Sequence, residues 1–327
     1  MGAEREIADL LARGADYARQ GDTKAAASFF NTALRRAGAG GALPAPLLER
    51  LRRAEAYVRE AAAAYQERLE QAAAQAGAGP RLQQALDILL GRKALELPPV
   101  PHPQRPSIFH FPGLPQRAFY ERDEFDWVPA LEAEAPAIRA ELEALLREGA
   151  DFRPYVEREK DRPRRDFHSL DDSPDWTAFY LWKDGTRLPE NAARCPRTAA
   201  AIERVPLSRI GSRTPSVLFS LLRPGAHIPS HHGMLNSRLI CHLPLIVPPG
   251  CWFRVGGETR VWEEGKLLIF DDSISHEAKN GSDSLRVVLL FDIWRPELTE
   301  AERRGLSAIF DAIDGFGKGP ATAAAPA

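Results

Sequence analysis

Ser230-His231-His232-Gly233, Arg238-Leu239-Ile240-Cys241-His242, Asp271-Asp272-Ser273-Ile274-Ser275-His276-Glu277 and Arg286 follow one another between Ser220 and Arg286, and this stretch decides the fold. Around it lie short runs rich in branched and aromatic residues, at 178–182, 216–222, 237–247, 252–255, 266–270 and 285–294, each of which reads as a strand. Pro224-Gly225, Pro249-Gly250, Gly256-Gly257 and Asn280-Gly281 separate them as turn signals. Many short strands broken in this way predict an antiparallel sandwich or barrel. His231 and His276 each close a strand-to-turn boundary, where the mouth of such a barrel would lie.

Neutral imidazole is a good donor for iron, zinc or copper, so His231 and His276 are candidate metal ligands, with His232 an alternative to His231. Arg286 stands ten residues after His276, on the run Leu285, Val287, Val288, Leu289. Burying a guanidinium in a strand is costly unless it meets an anion. It can take a carboxylate of a cosubstrate in a forked pair, or it can snorkel or pair with Asp292. Asp271 and Asp272 read either as solvated loop residues or as groups that orient His276 or a bound water. Trp262-Glu263-Glu264-Gly265 reads as a tight turn with a packed tryptophan.

Working outward, the 43 Lys and Arg nearly balance the 45 Asp and Glu, which leaves no large basic field for nucleic acid. No apolar run approaches about 18 residues, so no membrane insertion is expected. Met1 to Leu11 carries Glu4, Arg5, Glu6 and Asp9 and has no signal-peptide core, which predicts a cytoplasmic chain. Cys195, Cys241 and Cys251 are too few and too scattered for a disulfide framework and read as buried free thiols.

Residues 3–92 are alanine-rich with apolar residues at three- and four-residue spacing, and read as helices interrupted at Gly21-Asp22-Thr23. Leu10, Gly14, Tyr17, Ala26, Phe30 and Ala33 resemble one tetratricopeptide unit, although the pattern does not recur 34 residues on. From Leu97 prolines crowd the chain (Pro98, Pro99, Pro101, Pro103, Pro106, Pro112, Pro115) and favour an extended connector. A further amphipathic helix is expected over 127–147. The expected organisation is a helical, tetratricopeptide-like module over 1–95, a proline-rich connector over 96–116, a β domain over 117–314 and a disordered low-complexity tail over 315–327. The fold class is therefore α+β.

Phe219-Ser220, Pro224-Gly225, His231-x-Gly233-x-x-Asn236, Arg238-Leu239, His242-Leu243, Trp262-Glu263-Glu264-Gly265-Lys266, Phe270-Asp271-Asp272-Ser273, His276-Glu277, Arg286 and Asp292-Ile293-Trp294-Arg295-Pro296-Glu297-Leu298 together resemble the aspartyl/asparaginyl β-hydroxylase family of iron- and 2-oxoglutarate-dependent oxygenases. The resemblance implies a double-stranded β-helix (jelly roll, cupin-like) that holds Fe(II) through His231 and His276. It places Arg286 and Ser220 on the distal carboxylate of 2-oxoglutarate and His242 near its other end. Gly233 stands where related oxygenases carry an acidic ligand, as is also the pattern of this family. The family often has an arginine where this chain has Ile240; Arg238, on the same strand face, is a candidate to replace part of that charge.

The implied reaction uses dioxygen to couple oxidative decarboxylation of 2-oxoglutarate to hydroxylation of a C–H bond, most simply the β-carbon of an aspartyl or asparaginyl residue in a peptide or protein. The same chemistry on a lipid acyl chain or a free amino acid, and a non-catalytic cupin-like binding or adaptor protein, are the alternatives.

Overall fold

The computed structural model describes residues 2–39, 42–77, 79–157 and 170–317. Two compact units emerge, Met1–Gly77 with Ala308–Ala327, and Ala78–Ser307.

The first unit begins with α1 (Gly2–Arg19), α2 (Thr23–Gly38) and α3 (Ala45–Gln75). Gly21, at φ +78°, reverses the chain after α1, and Asp22 caps α2 by accepting the Ala25 N–H at 2.9 Å. Gly14 lies against Phe30, Tyr17 stacks on Phe29 at 5.3 Å, and Glu6 pairs with Arg36 at 3.2 Å. Rising positions in α1 meet falling ones in α2, so the two helices are antiparallel. A Cβ at Gly14 would come within 2.5 Å of the buried Phe30 ring, which is why this close approach needs glycine.

The second unit opens with α4 (Pro80–Leu89) and, in order, adds β1 (Phe119–Tyr120), α5 (Val128–Ala133), α6 (Ala135–Arg147), β2 (Arg153–Pro154), β3 (Trp176–Lys183), β4 (Thr186–Arg187), α7 (Pro189–Arg194) and α8 (Pro196–Ile202). Eight strands then follow without a helix: β5 (Val217–Leu222), β6 (His227–His231), β7 (Arg238–Ile246), β8 (Cys251–Val255), β9 (Glu258–Arg260), β10 (Leu268–Phe270), β11 (His276–Asn280) and β12 (Arg286–Trp294). One sheet runs β1-β10-β7-β12-β5-β3-β2, with β4 on β3, and the other β6-β11-β8-β9. From β5 to β12 the chain passes repeatedly between the two sheets, pausing only for the β8–β9 hairpin, and every pairing is antiparallel. That winding is a double-stranded β-helix, so the chain is α+β with a jelly-roll domain.

Period two sorts the strand residues. Leu218 and Leu222 of β5, Ile240 of β7 and Val288 and Leu290 of β12 join Phe253, Phe270 and Ala278 between the sheets. Val217, Phe219, Leu221, Leu239, Cys241, Leu243, Leu289 and Phe291 face the other way, into a core with Leu131, Ile138 and Leu142 of the helices. The three cysteines are free and buried. No described helix is long and apolar enough to cross a membrane.

Several sequence expectations shift. The helix expected over 127–147 breaks at Glu134, because Pro136 in the first turn of α6 has no N–H to continue α5. Strands β6 and β11 carry few branched residues and were not read as strands. The proline-rich stretch belongs to the second unit, as does α4, so the division falls after Gly77 and not at residue 95. The last helix, α9 (Glu300–Gly315), has residues in both units, and its final residue lies inside the expected tail. Residues 318–327 of that tail lie outside the described residues.

One buried knot ties the loops of the second unit. Arg295 and Asp271, both without solvent exposure, pair at 2.5 Å. Arg295 also donates to the Pro115 and Asn236 carbonyls and to the Tyr120 hydroxyl, while Asp271 accepts from Gln104 and from the Ser273 N–H. Asp271→Asn keeps the shape but leaves buried Arg295 with only the partly exposed Glu297, 3.3 Å from its Nε, and should lower stability by about 3–5 kcal/mol in a denaturant titration. A loss under about 1 kcal/mol would show that Glu297 alone suffices to balance Arg295.

Candidate active site

His231 ends β6 and His276 begins β11, and the two are direct cross-strand partners. Their rings lie 4.1 Å apart, centroid to centroid. Each Nδ1–H donates to a carbonyl two residues back, His231 to Pro229 at 2.8 Å and His276 to Ile274 at 3.0 Å. A carbonyl can only accept, so Nδ1 carries a proton in both rings and Nε2 is the nitrogen through which each could ligate a metal. Burial is the main cause that brings His276 down to about 4, which keeps it neutral at physiological pH. His232 makes no ring contact with His276 among the described residues; partial burial, then the Arg105 charge, lowers its pKa. His231, not His232, is therefore the ring that faces His276 across the strands.

The rows that face between the sheets supply the rest. Arg286 begins β12 opposite Leu222 and is 1% exposed. Its guanidinium lies over the Trp262 ring at 4.8 Å, its Nη1 is 3.5 Å from the Ser220 carbonyl, and its Nε has no hydrogen-bond partner. Burial brings its pKa down to about 10. Asp292 does not serve it, because six residues of strand separate the two by roughly 20 Å. Asp292 instead accepts the Ser216 N–H at 2.8 Å and faces Arg238 at 3.7 Å. Ser220, on the neighbouring strand, accepts from Trp176 Nε1 at 3.0 Å and keeps its own proton to donate.

His242 accepts from Trp262 Nε1 at 3.2 Å through Nδ1, so its proton sits on Nε2. Burial, then the Arg286 charge, holds it well below its ordinary pKa. Trp262 is therefore both the packed tryptophan read from the sequence and a wall of this site.

Arg238 shares the inner face with Ile240 and His242, but its charge is already engaged. It donates to Asp272 at 2.9 Å and faces Asp292. Asp271 and Asp272 are buried, not solvated as a loop reading allows. Asp271 belongs to the Arg295 knot. Asp272 fills the space beside Gly233, where a Cβ would sit 2.0 Å from its carboxylate oxygen. The position that could carry an acidic ligand is thus closed by a neighbour's carboxylate.

Two groups escaped the sequence reading. Tyr155 stacks on Trp176 at 3.9 Å, and burial pushes its hydroxyl up to about 12. Trp176 in turn lies 6.4 Å from the His231 ring. No spacing rule links residues so far apart in the chain to the histidines.

Among the described residues no group of three or more His, Cys, Asp or Glu is placed to hold a metal ion. Two imidazoles with adjacent rings, each with its Nδ1–H held by a backbone carbonyl, nevertheless suit a divalent transition metal that completes its shell with small molecules. A double-stranded β-helix with a histidine pair at one end and a buried, carboxylate-free arginine within defines the class of protein. A family description, aspartyl/asparaginyl beta-hydroxylase, matches residues 132–296, just over half of the chain, and the chain belongs to that family.

Among curated relatives, the human aspartyl/asparaginyl beta-hydroxylase is 43% identical over 142 residues, 43% of this chain and 19% of that protein. Human aspartate beta-hydroxylase domain-containing protein 2 is 34% identical over 214 residues, 64% of this chain and 56% of that protein. The ornithine lipid ester-linked acyl 2-hydroxylase of Rhizobium tropici is 36% identical over 180 residues, 54% and 60% of the two chains. The chain spans between about a fifth and three fifths of the length of these relatives.

Gly233→Ala should displace Asp272 from Arg238 and lower stability by about 1–3 kcal/mol. Thermal melting beside Gly257→Ala, where the backbone is not left-handed and an added Cβ meets only ordinary contacts at 3.5 Å, checks the steric part. Equal losses would mean that the Asp272 contact does not matter.

Proposed function

We propose that this protein is an Fe(II)- and 2-oxoglutarate-dependent dioxygenase that hydroxylates a C–H bond, the β-carbon of an aspartyl or asparaginyl residue in a peptide or protein. The observation that carries the reading is Arg286, a fully buried guanidinium with no carboxylate against it among the described residues, on the strand beside Ser220. A desolvated cation of this kind is costly unless an anion comes to it. A dicarboxylate long enough to reach from Arg286 to the histidine pair meets that need.

His231 and His276 would hold iron through Nε2. When bound, iron supplies the activation of dioxygen, and the overall balance is one substrate C–H, dioxygen and 2-oxoglutarate giving one C–OH, succinate and carbon dioxide. Arg286 would take the distal carboxylate in a forked pair, with the Ser220 hydroxyl donating a further hydrogen bond. The His242 Nε2–H would donate at the cosubstrate's other end, its ring fixed by Trp262. Ile240 brings no charge to the iron-side carboxylate. The Arg238 Nη1, buried and without a hydrogen-bond partner, is the donor left to help. Trp176, Trp262, Phe253 and Phe270 would exclude water and so strengthen these contacts.

A second reading keeps the chemistry and changes the substrate to a lipid acyl chain; the similarity to the ornithine lipid hydroxylase favours it. Succinate release compared across acidic peptides and lipid micelles separates the two.

His231→Ala and His276→Ala should each abolish tight Fe(II) binding by isothermal titration, whereas His232→Ala should change it little. A metal dependence that followed His232 would overturn the ligand assignment. Arg286→Ala should weaken 2-oxoglutarate binding by about 2–5 kcal/mol with iron affinity nearly unchanged, and Ser220→Ala should act in the same direction but less. An unchanged cosubstrate affinity in Arg286→Ala would remove the arginine from the site.

A further inference from the structure

The proline-rich stretch read as a connector is hydrogen-bonded to the two loops that carry the histidines. The Arg105 N–H donates to the Ser273 carbonyl at 2.7 Å, three residues before His276. The Ser107 N–H donates to the Gly233 carbonyl at 2.9 Å, two residues after His231, and the Ile108 and Phe109 N–H groups both reach Met234 at 3.1 Å. Asn236 then clamps Phe111 from both sides, accepting its N–H at 2.7 Å and donating to its carbonyl at 2.9 Å. Prolines 103 and 106 hold the backbone extended between these contacts. Residues 105–109 thus form a rim beside the histidine pair.

Arg105 is the charged group of that rim. It is exposed, and among the described residues its guanidinium makes no hydrogen bond or ion pair. The nearby carboxylates are engaged: Asp271 by Arg295, Asp272 by Arg238, and Glu277 by Arg254 and His227. On residues 105–109 and Met234, to which they bind, the exposed large apolar side chains among the described residues are Ile108 and Met234, at 42% and 36%, which is little surface for an acyl chain. A rim with one unengaged cation and little apolar area suits an extended acidic peptide.

We propose that Arg105 is a specificity residue of the substrate mouth, receiving a carboxylate of a residue that flanks the one being hydroxylated. The proposal rests on the reading of the site as a peptide hydroxylase and adds a sequence preference to it. The guanidinium lies outside the barrel on a separate segment of chain, so it acts on binding of the peptide and not on the cosubstrate.

The test uses the full chain with Fe(II) and 2-oxoglutarate and two synthetic peptides with the same central aspartate, one flanked by glutamates and the other by glutamines. Succinate release is followed without peptide and with each. Wild type should reach half-maximal stimulation at a concentration about fivefold lower with the glutamate peptide, the upper range for an ion pair at a surface. Arg105→Gln should abolish the difference, Arg105→Lys should keep part of it, and Arg105→Glu should reverse it, which a merely structural role would not do. All three should retain the peptide-independent release of succinate.

Equal response of wild type to the two peptides, or a preference that survives in Arg105→Glu, would overturn the proposal while leaving the reaction assignment intact. Stimulation by phosphatidylglycerol micelles and by neither peptide would overturn the peptide class. Absence of succinate under every condition would instead remove the reaction assignment on which the proposal stands.

Discussion

The buried pair of Arg295 and Asp271 is the contact on which the site's geometry depends. A desolvated ion pair alone stabilises little, because leaving water costs about as much as the attraction returns. Here the pair is also a junction. Through Gln104, Pro115, Tyr120, Asn236 and Ser273 it holds the proline-rich segment, β1 and the loops beside both histidines in one hydrogen-bonded cluster. The two histidines are then fixed by their own backbone carbonyls and by cross-strand register. Nothing in that arrangement requires a bound ion to draw the rings together.

The barrel interior treats its arginines differently. Arg238 has Asp272 and Asp292, and Arg295 has Asp271 and Glu297, but among the described residues Arg286 has only a carbonyl at the edge of hydrogen-bond range and an indole face. Stability favours engaged charges and affinity for an anion favours an unengaged one, so the two uses fall on different residues. The same logic explains Gly233: a larger residue would drive Asp272 off Arg238 and leave that buried cation with Asp292 alone, 3.7 Å away.

Much of this was legible in the sequence because strands repeat every two residues. Arg238, Ile240 and His242 on one face follow from that period, and the turn residues between strands mark where His231 and His276 leave the sheets. The helices of the first unit were legible from their spacing, and the Gly14–Phe30 contact from the small-and-aromatic pattern. Strands β6 and β11 were not legible, since Pro229, Glu277 and Lys279 carry no strand preference and are held by their neighbours across the sheet. Tyr155 reaches the site through the register of β2 on β3, a pairing that no local rule encodes. Prolines 98–115 announce extended backbone, but extended backbone can be a tether or a packed strap, and only the partners of its N–H groups distinguish them.

The helical unit is discontinuous in the chain. Its first 77 residues are followed by the whole barrel before residues from 308 onward return, where Arg68 donates to the Ala312 carbonyl at 3.0 Å and Tyr65 meets Phe316 edge to face at 5.1 Å. Segments made first ordinarily fold first during synthesis. Here those helices emerge from the ribosome before the barrel, with part of their apolar surface waiting for a partner made after it, so the unit cannot finish folding until the barrel has been synthesised.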